Sequence, residues 1–307
     1  MSRLYRILIS FGLVVVFFVP LTTIPALAAV IPITEMSAKD FLKLGAENTS
    51  SGELEQAIVN FSEAIKLDEK MAAAYSNRCL VYNHLRKYQQ AIIDCTQALQ
   101  LNPGKIESYL NRGLAYYRQG RYQEAIADYN QTIALNPAES RAYYNRGLVY
   151  FEQKQYEKAI ADYNQILHSS QLDKKATSSV YNDRGLAYFG LANIQSAMAD
   201  FSQAISLDDS DARAYYNRAC ACHRQQDFKS AIRDFTESLK RNPNQAEAYI
   251  NRGIARYQMG YQQAAFEDLR KGAQYFNKSG RKVPYQQAVN LLKKLQQSSA
   301  NLESEVA

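Results

Sequence analysis

Tryptophan is absent from the 307 residues, histidine occurs three times and cysteine four. Each shortage removes a class of chemistry. His84, His168 and His223 form no H-E-x-x-H pair, and the chain has neither a G-x-S-x-G elbow nor a G-x-x-x-x-G-K phosphate loop. Paired acids such as Asp208-Asp209 read as solvated turn residues. No enzyme and no cofactor are expected. Cys220, Cys222 and His223 are neighbours, but a tetrahedral metal site needs three or four converging ligands and no fourth can be named, so packed helix residues are expected there and no metal.

Long apolar runs are scarce as well, and the one that exists lies at the start. Arg3 and Arg6 precede an apolar stretch from Ile7 to Val19, followed by Pro20 and the small-residue site Ala26-Leu27-Ala28. This order reads as an export signal over residues 1–28, with a linker over 29–37. An uncleaved anchor is the other reading, although the run is shorter than the ~20 residues of a typical span. Either way the remainder is expected outside the cytoplasm, in a periplasm or a thylakoid lumen, with membrane contact only through this segment. A strong excess of charge is missing too: the net +6 includes Arg3 and Arg6, which leaves +4. Basic residues alternate with acids, as in Glu157-Lys158 and Arg233-Asp234, where a nucleic-acid binder needs a basic stripe. No nucleic-acid partner is expected.

What the chain does have is a period. Asn-Arg followed by a small residue recurs at Asn77-Arg78-Cys79, Asn111-Arg112-Gly113, Asn145-Arg146-Gly147, Asn217-Arg218-Ala219 and Asn251-Arg252-Gly253, with Asp183-Arg184-Gly185 as a variant. The arginines step by 34, 34, 38, 34 and 34 residues. An aromatic stands one helical turn before each small residue, and alanine follows it at Ala57, Ala91, Ala125, Ala159, Ala197, Ala231 and Ala265. Phe61, Tyr129, Tyr163, Phe201 and Phe235 complete the pattern. Small residues let two helices approach and the aromatics fill the remaining space. Gly120 and Gly260 mark turns inside a unit; Pro103, Pro137 and Pro243 mark turns between units.

In these positions the chain closely resembles the tetratricopeptide repeat (TPR) family. The resemblance implies an all-α, right-handed solenoid of about seven helix pairs, at 38–71, 72–105, 106–139, 140–173, 178–211, 212–245 and 246–279. A capping helix is expected over 283–297 and a flexible polar tail over 298–307. The long step of 38 residues places four extra residues near His168 to Ser179, as a longer second helix in the fourth unit or a wider loop.

Six arginines are each followed sixteen residues later by an aspartate: Arg78 and Asp94, Arg112 and Asp128, Arg146 and Asp162, Arg184 and Asp200, Arg218 and Asp234, Arg252 and Asp268. The first unit lacks both members, having Leu44 and Asn60 instead. Only pairing within a unit leaves no orphan, so structural ion pairs between the two helices are expected, valuable for orientation more than for net stability. Cys79 and Cys95 occupy facing positions of one unit. A disulfide and two small buried apolar residues are both open readings, and the first requires Cα atoms within about 7 Å.

In the family, the positions of Asn77, Asn111, Asn145, Asn217 and Asn251 line the concave surface. Tyr117, Tyr144, Phe151, Phe189, Tyr216 and Tyr257 accompany them. An amide offers both donor and acceptor to a peptide backbone, and the array looks like the asparagine ladder in the superhelical TPR region of O-GlcNAc transferase. The alternative is that asparagine bridges neighbouring units. With first helices about 8–10 Å apart and an extended ligand advancing about 3.3 Å per residue, one asparagine would meet the ligand at about every third residue. No lysine stands at the fifth positions, so a carboxylate clamp of the Hsp90-binding type is not expected. The function implied is a noncatalytic scaffold or assembly factor that binds extended polypeptide, with a glycan- or peptidoglycan-binding envelope module as the alternative.

Overall fold

The computed structural model describes residues 36–168 and 172–306. The export signal, linker residues 29–35 and part of the four-residue insertion lie outside the described residues. Seven antiparallel pairs follow one another: α1 (Ala38–Ser51) with α2 (Leu54–Leu67), α3 (Ala72–His84) with α4 (Tyr88–Leu101), α5 (Ile106–Arg118) with α6 (Tyr122–Leu135), and α7 (Ser140–Glu152) with α8 (Tyr156–His168). Then come α9 (Lys174–Gly190) with α10 (Ile194–Leu207), α11 (Ala212–Arg224) with α12 (Phe228–Arg241), and α13 (Ala246–Gln258) with α14 (Gln262–Lys278). A last helix, α15 (Lys282–Val306), packs on α14. Among the described residues there is no strand, and no helix is long and apolar enough to cross a membrane.

The repeat pattern explains the pairing. Ala57, Ala91, Ala125, Ala159, Ala197, Ala231 and Ala265 are all 0% exposed, at the places where two backbones come closest. One turn further along the same second helices, the aromatics plug a slot that the first helix leaves open. A Cβ on Gly113 would lie 2.7 Å from the Tyr129 ring, and one on Gly147 would lie 2.7 Å from Tyr163. A Cβ at either glycine would require the plugging ring to shift. In the second unit the same slot holds Cys79 and Cys95, which are joined as a disulfide with Cα atoms 5.5 Å apart.

Turns repeat as faithfully as helices. Between the helices of each unit one residue takes the left-handed conformation: Gly52, Arg86, Gly120, Lys154, Ala192, Gln226 and Gly260. Between units, Asn102 and Asn136 end their helices in extended conformation, and each side chain accepts the amide two residues on, at 3.1 Å, across the intervening proline. Asp68 and Asp208 do the same without proline, at 3.0 Å.

Two boundaries differ from expectation. Among the described residues the added length shows as an extra turn at the start of α9, which has 17 residues where α7 and α11 have 13. Asp173 makes this possible by capping the added turn, accepting the Ala176 amide at 2.7 Å. The second correction concerns the tail. Helix α15 continues through the stretch expected to be flexible, ending at Val306, because residues 298–306 contain no glycine or proline and carry Ala300, Leu302, Glu303 and Glu305, which favour helix.

Candidate functional site

Each arginine of the repeat makes three joints. Its Nε and one terminal nitrogen donate to both oxygens of the aspartate sixteen residues on, for example Arg112 to Asp128 at 2.9 and 2.7 Å and Arg252 to Asp268 at 2.8 and 2.8 Å. Pairs 78–94, 146–162, 184–200 and 218–234 have the same bidentate form. The other terminal nitrogen reaches back to the preceding unit: Arg78 to Ser62, Arg112 to Thr96, Arg146 to Asn130, Arg184 to Asn164, Arg218 to Ser202 and Arg252 to Thr236. Tyrosines a turn before and after sandwich four of the guanidinium groups, as Tyr143 and Tyr150 do Arg146, at 5.5 and 5.9 Å. Burial raises the carboxyls of Asp128 and Asp162 despite their arginine partners. At these two carboxyls desolvation outweighs the pull of the partner, as expected for buried pairs that serve orientation more than net stability. The first unit solves the problem without charge: Asn60 donates to Asn48 at 2.6 Å.

First helices of successive units touch along most of the chain, α1 to α3, α3 to α5, α5 to α7, α9 to α11 and α11 to α13, and their shared face carries the asparagine register. All five asparagines are half-buried on it, but they divide into two groups. Asn217 donates to Asn182 at 2.8 Å and Asn251 to the Tyr216 hydroxyl at 3.0 Å. The side-chain amides of Asn77, Asn111 and Asn145 have no intramolecular hydrogen bond among the described residues; Asn111 is engaged only through its backbone carbonyl, which accepts from Asn83 at 2.8 Å. The residue at the fifth position of the preceding unit decides the difference. Tyr144, Asn182 and Tyr216 are long and polar enough to reach the next unit's sixth position. Leu42 and Leu110 are apolar, and Ser76 is engaged by Ser108 at 2.9 Å.

Some aromatics of this face lean on their own units and others reach the next. Tyr117 packs against Tyr122, Phe151 against Tyr156 and Tyr216 against Phe235, with ring centroids 6.1, 5.4 and 5.7 Å apart. Phe189 lies under Arg224 at 5.1 Å. Tyr257 packs against Phe266 and points its hydroxyl at the Leu295 carbonyl of α15, 3.5 Å away. Tyr144 donates to Asp183 at 2.7 Å. Two phenols below this face, Tyr129 and Tyr163, are fully buried and their hydroxyls have no partner among the described residues.

Two clefts flank the free asparagines. A small one of about 150 Å³ lies beside Asn77 and Asn111, with Leu80, Leu110, Glu107 and Arg141. The larger, about 430 Å³, opens between α7 and α9 beside Asn145. Cys220, Cys222 and His223 form no such site. Burial pushes both thiols up to about 11, which keeps them protonated and poor ligands. His223 rests against Phe228, and no cluster of metal-ligating side chains occurs among the described residues.

Fold and face together are those of a solenoid built from tetratricopeptide repeats. Family models described as tetratricopeptide or TPR repeats match residues 45–85, 70–138, 110–174, 178–211 and 212–245, and the chain belongs to the TPR family. Among solved structures it is similar to a tetratricopeptide repeat protein from Parabacteroides merdae, with TM-score 0.64 and 21% identity over 82% of this chain and 98% of that one. It is also similar to the APC/C hetero-tetramer Cut9–Hcn1, at TM-score 0.60 and 22% identity, covering 71% of this chain and 43% of that one. The Pseudomonas aeruginosa pilF structure matches at TM-score 0.59 and 18% identity, over 72% and 96%. The chain thus spans under half the length of the Cut9–Hcn1 chain it matches, and these identities establish the fold alone. No curated protein matches the chain.

Proposed function

We propose that this protein is a noncatalytic scaffold, exported to a periplasm or thylakoid lumen, that holds extended polypeptide against the first helices of its second, third and fourth units. The observation that carries this reading is the set of three half-buried amides, on Asn77, Asn111 and Asn145, one per unit and without intramolecular partners. A half-buried amide unpaired in the free protein gains when a peptide backbone supplies both donor and acceptor. Asn217 and Asn251 serve instead as spacers between units. The glycan alternative draws less support, because Tyr144, Tyr216 and Tyr257 commit their hydroxyls to protein partners and the ring faces pack on neighbouring helices.

Alanine substitution separates the two groups. Asn111→Ala with Asn145→Ala should weaken binding of extended peptides about ten- to thirtyfold, at about 1 kcal/mol per lost amide contact, with the melting temperature nearly unchanged. Asn217→Ala with Asn251→Ala should lower the melting temperature and leave affinity nearly as it was. Fluorescence anisotropy and thermal denaturation on the wild type and the two double variants decide it; equal affinities for wild type and the first double variant sink the proposal.

A further inference from the structure

The asparagine register has one break, and the break carries a charge. Asp183 on α9 stands where neighbouring units have Asn145 and Asn217. Its carboxylate is half-buried, accepting from the Tyr144 hydroxyl at 2.7 Å and from the Asn182 amide at 3.3 Å. Both donors are neutral. Arg213, whose charge acts on Asp183 from a distance, is ion-paired with Asp211 at 2.8 Å, and Arg184, next in the chain, is ion-paired with Asp200 at 2.7 Å. Desolvation pushes the Asp183 carboxyl up, against the pull of its two hydrogen bonds and of the Arg213 charge. In this setting a carboxylate gains strongly from a cation.

Tyr144 links this carboxylate to the larger cleft, which it also lines. The rest of that cleft is lined by the apolar Ile166, Leu172, Ala176 and Val180 together with Ser140, Arg141, Asn145 and Ser179; Arg141 is itself ion-paired with Glu139 at 2.7 Å. Ala176 belongs to the turn added to α9. The repeat pattern is therefore broken twice in the same unit, once by four extra residues and once by an acid in place of an amide, and the two departures meet at Tyr144. A mere lengthening of a helix would not require a charge beside it.

We infer that the junction of the fourth and fifth units is the selectivity site of the scaffold: the cleft takes a bulky apolar side chain of an extended polypeptide, and Asp183 takes a lysine or arginine side chain within about three residues of it. The inference rests on the peptide-binding reading above and adds the class of sequence preferred. Asp183 supplies the charge complementarity, and the 430 Å³ cleft supplies room for a leucine or an aromatic ring.

The test uses the full chain and three matched peptides in a serine-alanine host, acetylated to remove the terminal amine. One carries a leucine, the second adds a lysine three residues on, and the third has glutamine in place of that lysine. On the wild-type protein the leucine-lysine peptide should bind about tenfold tighter than the leucine-glutamine peptide, and the preference should fade in high salt. Asp183→Asn restores the residue that other units carry and keeps an acceptor for Tyr144, so folding, checked by circular dichroism, should hold. In this variant the ratio should fall to about one. Equal affinities on the wild type, or a preference that survives Asp183→Asn, overturns the inference while leaving backbone recognition in place. Peptides that bind wild type and Asn111→Ala/Asn145→Ala alike, or bind neither, overturn the underlying reading and this one with it.

Discussion

A single arginine explains much of this molecule. Its side chain is 11–21% exposed across the six copies and its aspartate 1–6%, so removing one partner strands a buried charge. Asp162→Ala should cost about 3 kcal/mol, read as a lowered denaturation midpoint. The first unit shows an uncharged solution, Leu44, Asn48 and Asn60. Transplanting it as Arg146→Leu, Tyr150→Asn and Asp162→Asn should recover all but about 1 kcal/mol; a triple variant no more stable than Asp162→Ala would mean that the charge itself is required. Pairing inside the unit was legible in the sequence because the first repeat lacks both members at once. The third joint was not read, although its acceptors stand in plain phase two residues beyond each aspartate register: Ser62, Thr96, Asn130, Asn164, Ser202 and Thr236. The asparagines were legible as a row but not as two groups, since each one's freedom depends on a side chain from the unit before.

Elements obey the period even where residues do not. Seven turns need a left-handed residue at one position; Gly120 and Gly260 made two of them readable, and Gly52, which does the same in the first unit, was passed over. Arg86, Lys154, Ala192 and Gln226 hide the other four, because the helices on either side impose the conformation whatever residue stands there. That imposition has a cost, with φ near 58–63° at these four residues. Ala192→Gly should therefore stabilise the protein by about 0.5–1 kcal/mol, the left-handed penalty of an L-residue exceeding the added chain entropy of glycine, and Gly120→Ala should destabilise it by a similar amount. A Cβ on Gly120 meets no atom within 4 Å, so the comparison of melting curves isolates backbone strain; a lower melting temperature for Ala192→Gly would show that no strain is held there. The length of the insertion was legible from the step of 38 residues, but its location was not, since the pattern alone cannot say which side of Asp173 gains the turn.

The whole molecule is a stack in which every unit covers its neighbour, and α15 covers the last. Phe276 and Ala273 on α14 are each 6% exposed with Ala288 against them. Ending the chain at Arg281 should uncover this patch, lower the melting temperature and promote concentration-dependent association on size exclusion; unchanged melting and elution would show that α15 is dispensable. The arginine joint also gives the stack a direction. Every hook reaches backwards to an eye on the preceding unit, and both ends lack their half of the fastening. Leu44 stands where the first unit would need a hook, and at the seventh unit the eye is replaced by Arg270, exposed and of the same charge as any hook that approached it. Two copies brought end to end cannot be fastened in this way, so the device that joins one unit to the next inside a molecule does not string molecules into a fibre.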